Sequence, residues 1–331
     1  MGHKRIYGLI IGLLISISTF AQTLSEDAQV WLLTCAPGEE LYERFGHTAL
    51  CVYDPENRID VVFNYGIFDF NVDHFYWKFI RGETWYELGD TPTRWFEAEY
   101  ANANREIYVQ ELLLTPEEKE TIWTALLENR KPENKKYLYN FVFDNCATRP
   151  YQLIVKACTD SIASDYVGYT DRSFRSFIRH YTGRYSWSNA GINLLFGPHA
   201  DRPMTSEQRL FLPEEFMLYM QQAFRVDESH KPLVGIAVLG SFVPPVTPWY
   251  ASWPFGLALY FLFVAGMSIY DRRRGKRSKW VEILPAIPYV GLLAIVTFLT
   301  FFSCHPLVGF GWRLLIIPAT HLCARLIYII R

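Results

Sequence analysis

The sequence predicts an α+β domain built on an antiparallel sheet and followed by transmembrane helices. Three observations point there. Residues 47–67 hold two runs of alternating or branched apolar residues separated by a turn, the pattern of paired strands. Residues 115–130 open with unusually complete helix-start signals. From Trp249 onward charge nearly vanishes over stretches long enough to cross a bilayer.

The chain opens MGHKRIYGLIIGLLISISTFAQ. Its short basic start, apolar run and small-residue exit at Ala21 read as a secretory signal over residues 1–22. The alternative is an uncleaved anchor, for which the apolar run 6–20 is short. In both readings residues 23–248 form a domain outside the cytoplasm, large enough for one sizeable core. Within it, VWLLTCA reads as a strand ending at a Pro37-Gly38 turn. GHTALCVYD then alternates, with Thr48, Leu50 and Val52 on one face and His47, Ala49, Cys51 and Tyr53 on the other. DPENR turns the chain, and IDVVFNYGIFDF returns as a second strand closed by a tight turn at Gly66. That pairing brings His47, near the start of one strand, toward Asn64 or Tyr65 near the end of the other.

EIYVQELLL is a further strand. In TPEEKETIWTALLENR, Thr115 caps, Pro116 takes the first helical position and Glu118 closes the capping box, while Ile122, Trp123, Leu126 and Leu127 form the apolar face. Residues 161–213 mix Ser, Asp, Gly and Arg with isolated aromatics and receive no assigned elements. EEFMLYMQQAF is expected to be helical. KPLVGIAVLGSFVPPVTPWY reads as a strand or apolar loop, broken by Pro244, Pro245 and Pro248, that delivers the chain to the membrane.

Residues 249–331 are expected to hold spans near 250–270, 281–302 and 312–330, the last carrying Arg313, His321 and Arg325. The chain stops at Arg331 without a polar tail, so it is expected either to be shortened or to lack a further membrane segment. DRRRGKRSKW, between the first two spans, is the strongest basic cluster. The positive-inside rule places it in the cytoplasm, which agrees with an N-terminal signal. A net charge of −2 and the position of that cluster argue against a nucleic-acid partner. An aromatic content of 17% suits surfaces at the lipid boundary.

Cysteines are too sparse for a secreted disulfide framework, although Cys35 could pair with Cys51 and Cys146 with Cys158. Cys146, in YLYNFVFDNCATRP, is the candidate nucleophile. If Asp144 or Asn145 caps a helix opening near Cys146, free backbone N–H groups lie under the sulfur and stabilise its thiolate. Such a helix would be kinked at Pro150 or would start elsewhere, because proline has no N–H to donate. His47 follows Gly46 and is the candidate base. His74 is a lesser candidate, and His180 and His199 have the character of structural or surface residues. Asn64, Tyr65 and Asp69 are candidates to orient the imidazole, with Asn64 favoured by strand pairing. Arg149 could meet a phosphate or a carboxylate, and Tyr139, Asn140 and Asn145 could shape the nucleophile segment. No CxxC, HExxH or similar ligand spacing occurs, so neither a metal nor a cofactor is expected.

With those residues in view, the chain resembles the bacterial DUF4105 family. The resemblance is carried by LLTCAPGEELYERFGHTAL at 32–50, VFNYGIFDF at 62–70 and YLYNFVFDNCATR at 137–149, and by HPLVGFGWRLLIIP in the membrane tail. That family includes the lipoprotein N-acyltransferases of Bacteroides-type bacteria. The histidine-first, cysteine-later order also resembles circularly permuted NlpC/P60 folds such as lecithin:retinol acyltransferase, which implies a papain-type domain with an antiparallel sheet and a nucleophile-bearing helix. By this resemblance Cys146 is the nucleophile and His47 the base. Asn64 takes a third position where the wider superfamily often has histidine. The implied donor is a glycerophospholipid of the bilayer and the implied acceptor a diacylated lipoprotein, at an inner membrane with the catalytic domain facing the periplasm. Two other readings stay open: a membrane-anchored cysteine peptidase or amidase acting on cell-wall peptides, and a non-enzymatic envelope scaffold.

Overall fold

Backbone hydrogen bonding joins the alternating segments into one sheet. A computed structural model describes residues 23–68, 72–168, 172–227, 230–275 and 278–309. The expected signal, Asp69, Cys323 and the span at 312–330 therefore lie outside the described residues. In chain order the elements are β1 (Gln29–Cys35), β2 (His47–Asp54), β3 (Ile59–Ile67), α1 (Phe75–Arg81), β4 (Trp85–Pro92), α2 (Thr93–Asn102), β5 (Ile107–Leu112), α3 (Pro116–Arg130) and β6 (Lys136–Leu138). Then follow α4 (Thr148–Ala157), β7 (Ile162–Ser164), α5 (Phe174–Thr182), α6 (Trp187–Leu195), α7 (Pro213–Gln221), β8 (Ala223–Arg225), β9 (Val234–Val238), α8 (Trp253–Arg273) and α9 (Lys279–Phe302). Seven strands lie in the order β6-β4-β3-β2-β1-β5-β9, every neighbouring pair antiparallel. β7 and β8 form a separate ribbon.

Period-two alternation decides what each strand buries. Leu50, Val52, Phe63 and Tyr65 face a core filled by Ile122, Trp123 and Leu126 of α3, Leu153 and Ile154 of α4, and Phe216 of α7. Ala49, Cys51 and Val62 face the other way, under Phe96 and Tyr100 of α2. A third cluster, beyond the Cys35 end of β1, gathers Phe45, Val142, Phe177, Phe211 and Leu307. The capping box of α3 forms: the Glu118 carboxylate accepts from Thr115 N–H at 2.9 Å, and Thr115 Oγ1 accepts from Glu118 N–H at 3.3 Å. The two short helices α5 and α6 fill much of the region left unassigned above, each started by a single serine cap, Ser173 and Ser186.

Neither of the two possible disulfide pairings forms, and the described cysteines are free thiols. In the β1–β2 register Cys35 faces His47 while Cys51 faces Trp31, which places the two sulfurs at different rungs. Cys146 and Cys158 lie at opposite ends of the ten-residue α4, about 15 Å of helix rise apart and beyond disulfide reach.

Of the described helices, α8 is long and apolar enough to cross a membrane. It starts at Trp253 rather than 250 because residues 249–251 form a 3-10 turn and Ser252 caps the helix. α9 follows, with 24 residues spanning about 36 Å. Both helices are fastened to the sheet domain at the ends away from Arg272 and Arg273. Trp253 N–H donates to the Tyr185 carbonyl at 3.1 Å; beyond α9, Cys304 N–H donates to Arg81 O at 2.7 Å and Gly309 N–H to Leu195 O at 3.2 Å.

One buried ion pair locks the layers together. Glu118 is 1% exposed, and its carboxylate receives both terminal nitrogens of Arg225, at 2.6 and 2.7 Å, plus the Thr159 N–H at 3.0 Å. Arg225→Ala strands that carboxylate in the core, so thermal unfolding in detergent should show a loss of about 3–5 kcal/mol.

Candidate active site

Gly46 brings the chain into β2 with φ of 74°, and a Cβ there would come within 2.5 Å of the Phe242 ring and 2.7 Å of the Cys35 carbonyl oxygen. A side-chain-free residue is required at that corner. The next residue, His47, begins the strand, and its Nε2 lies 2.5 Å from Asn64 Oδ1 on β3. An amide oxygen only accepts, so the imidazole proton sits on Nε2 and the Nδ1 lone pair stays available. The pairing expected from alternation is thus present.

Leu50 faces Phe63 in the β2–β3 register, and continuing that ladder brings residue 47 opposite residue 66. Gly66 is a bulge inside β3, with φ of 111° and a register shift against β4 between Tyr65 and Ile67, so the strand runs through it as far as Ile67. A Cβ on Gly66 would sit 3.6 Å from His47 Cε1 and 3.7 Å from Cys146 Cβ. Imidazole and cysteine therefore face each other across the space this glycine leaves empty.

Cys146 arrives from the opposite side of the sheet on a tightly specified turn. Asn140 and Asp144 exchange backbone hydrogen bonds at 2.9 and 3.0 Å, and Asn140 Oδ1 accepts from the Val142 and Phe143 N–H groups, both at 3.1 Å. Asn145 is 2% exposed; its Oδ1 accepts from Ala147 and Thr148 N–H, both at 2.9 Å, while Nδ2 donates to the carbonyls of Phe141 and Phe211, both at 2.8 Å. α4 starts only at Thr148, so Cys146 stands in the turn before the helix. Pro150 falls in the first helical turn, where a missing N–H costs little; of the two outcomes expected for it, the helix starts elsewhere than near Cys146.

Several other candidates separate from this centre. Asp144 does not cap the helix; its carboxylate binds Arg149 through two bonds of 2.6 and 2.8 Å, and the guanidinium lies 3.5 Å above the Tyr137 ring. Of the two partners expected for Arg149, the structure shows the carboxylate. Tyr65 points into the core, where its hydroxyl accepts from Asn129 Nδ2 at 2.8 Å, on the face opposite Asn64. His74 is exposed at the start of α1, with φ of 58°. Tyr139 stacks on Tyr86 at 4.0 Å, and burial, with the nearness of Cys146 as a second cause, raises the phenol pKa values of Tyr86, Tyr137 and Tyr139.

Burial decides the resting protonation. It pushes the Cys146 thiol up to about 11, against the opposing pull of the Thr48, Cys146 and Ala147 backbone N–H groups. It also pushes His47 down to about 4, with the bond to Asn64 opposing and the positive charge of Arg105 assisting. At neutral pH the two groups are a neutral thiol and a neutral imidazole. The other nearby thiols have partners of their own: Cys35 with Tyr100, and Cys51 with Thr93 Oγ1 at 3.5 Å.

Two contributors escape sequence reasoning. Thr48 acts through its backbone N–H, which no residue type advertises. Arg105 holds the segment leading to His47, donating to Ala36 O at 2.8 Å and pairing with Glu43 at 3.1 Å. Gly66 did carry a signal, since an isolated glycine within a strand pattern marks a bulge or a close approach.

Alkylation of Cys146 by iodoacetamide at pH 7, followed by mass spectrometry, should run about a hundredfold slower than that of free cysteine and accelerate toward pH 11. A rate equal to free cysteine at pH 7 would instead indicate a thiolate–imidazolium pair.

Two family profiles match the chain: the Lnb N-terminal periplasmic domain over residues 19–167 and the Lnb transmembrane domain over residues 245–331. No curated protein and no solved structure matches it. The sheet domain accordingly faces the periplasm at the inner membrane, and substrates of lipid and lipoprotein type follow in general from the family. A periplasmic domain and a transmembrane domain of one kind, in one chain and in this order, mean that the protein belongs to the Lnb family, the former DUF4105, of Bacteroides-type lipoprotein N-acyltransferases.

Proposed function

We propose that the protein moves an acyl chain from a glycerophospholipid, through a thioester on Cys146, to the α-amine of a diacylglyceryl-cysteine lipoprotein. The reading rests on one observation above all: an imidazole with its tautomer set by Asn64 faces a cysteine across Gly66, in a domain fastened to membrane helices. Family membership gives the general class of activity. The scaffold is read as a permuted NlpC/P60-like domain over residues 23–248, after a signal at 1–22 and before a membrane region at 249–331.

In this mechanism His47 Nδ1 takes the thiol proton as Cys146 Sγ attacks an ester carbonyl of the phospholipid. The backbone N–H groups directed at the sulfur supply donors for the developing oxyanion. Collapse breaks the ester C–O bond, and the imidazolium returns its proton to the departing lysophospholipid hydroxyl. The neutral lipoprotein amine then attacks the thioester, its proton passes by way of His47 to sulfur, and an amide and free thiol result. Tyr86, Tyr137 and Tyr139 help keep water from the thioester, which would otherwise be hydrolysed.

Intact-mass spectrometry with phospholipid should reveal one acyl adduct on the wild type, discharged when a diacylated lipopeptide with a free N-terminus is added and gains that chain. Cys146→Ala should show neither event. A folded wild type that leaves the lipopeptide unmodified overturns the reading.

The pH dependence follows from His47. Because its folded-state value is depressed, the base is already unprotonated at mildly acidic pH. kcat/KM for the phospholipid, the step before the amine enters, should rise through about pH 4 and then stay level across neutrality; a half-maximum near 6.5 would contradict a buried base.

A further inference from the structure

The proposed chemistry makes no use of α1, a seven-residue helix that exposes Trp77, Phe79 and Ile80 at 51%, 49% and 41%. Three such side chains on two turns of helix are costly to leave in water. Their neighbours suggest what covers them. The Trp77 ring lies 5.1 Å from that of Phe298 on α9, His305 Nε2 donates to the Phe79 carbonyl at 2.8 Å, and Cys304 N–H donates to Arg81 O at 2.7 Å. α1 is thus fixed to the periplasmic end of a membrane helix.

Depth can be read from that helix. α9 ends at Phe302, four residues beyond Phe298, and at ~1.5 Å per residue Trp77 sits about 6 Å inside the end of the span. The boundary between headgroups and acyl chains occupies about that depth. A second contact agrees with it. Trp187, 55% exposed, packs so closely on Gly256 that a Cβ there would lie 2.4 Å from its ring. Gly256 is the fourth residue of α8, about 5 Å below its start. Trp249 and Tyr250, 71% and 63% exposed, mark the water side of the same boundary at the head of α8. Two separate parts of the domain therefore reach one level on two different membrane helices.

We infer that α1 is an interfacial helix whose Trp77, Phe79 and Ile80 insert among phospholipid acyl chains at the periplasmic face of the inner membrane. The partner is the bilayer itself, as the continuity with α9 requires. Lys78 on the same helix suits the phosphate level, while Arg81 pairs with Glu83 at 2.7 Å. β3 ends at Ile67, eight residues before α1 begins, and holds Asn64 and Gly66. The inserted helix therefore sets the lipid surface within one short connection of the site. The inference stands apart from the acyl-transfer reading, since α1 occupies the bilayer whatever Cys146 does.

The test uses the full chain reconstituted in liposomes and the tryptophan fluorescence lost between wild type and Trp77→Phe. Against the chain's 10 tryptophans this difference isolates one reporter. It should be quenched about twofold or more by phospholipids brominated at carbons 6 and 7, less by those brominated at 11 and 12, and little by aqueous acrylamide. Ile80→Trp, which adds a reporter, should show the same order. Quenching by acrylamide with no response to either brominated lipid would overturn the inference. So would protection from both quenchers, the signature of a second copy or another protein on this face. Neither outcome touches Cys146 chemistry, which the mass experiment reads separately.

Discussion

The site depends on the space that Gly66 leaves empty. A side chain there would touch both the imidazole and the cysteine, and φ of 111° would strain it. The bulge also lets β3 continue to Ile67 while keeping Asn64 on the His47 face and Tyr65 in the core. One residue thus satisfies three demands: room for the reacting groups, the correct face for the orienting amide, and an unbroken sheet to hold both. The turn that delivers Cys146 is built to match. Asn140 and Asn145 commit their side chains to its backbone, so the thiol arrives on a fixed frame rather than a loose loop.

Electrostatically the centre is quiet at rest. Several backbone N–H groups favour a thiolate, yet burial outweighs them, and the imidazole beside it also stays neutral. In an extracytoplasmic compartment this has a use. A thiolate invites oxidation and disulfide exchange, whereas a buried thiol resists both. In the mechanism proposed above, charge appears only as a carbonyl is attacked, in surroundings of aromatic rings and oriented amides.

What the sequence discloses about the fold divides along the line between local and distant physics. Alternation around His47 and Asn64 sufficed to pair their strands, because face and register there follow from a period of two. Thr115 and Glu118 announced α3 because a capping box is complete within four residues. α5 and α6 escaped notice, having one serine cap apiece, nine residues each, and a packing face defined mainly by partners such as Phe211 and Leu307. At the site, Cys146, His47 and Asn64 were legible by residue type and position. For Arg149 a carboxylate was one of two partners expected, but that it would be Asp144, with the Tyr137 ring beneath the pair, is set by the folded turn. The helix that follows His74 carries no start signal in the sequence and emerges only against the end of α9.

The double fastening to α8 and α9 has a consequence for how the protein finds its substrates. After α9 the chain turns back, and residues 307–309 bridge to residues 195–197, with Leu307 buried in the domain. A body held at two points on the membrane cannot swing away into the periplasm to search for a partner. For an enzyme of the kind proposed, both donor and acceptor must reach it by lateral diffusion, so turnover is governed by their mole fractions in the surface rather than by any bulk concentration. Diluting the bilayer with inert lipid would slow it even when the total amount of each substrate is unchanged.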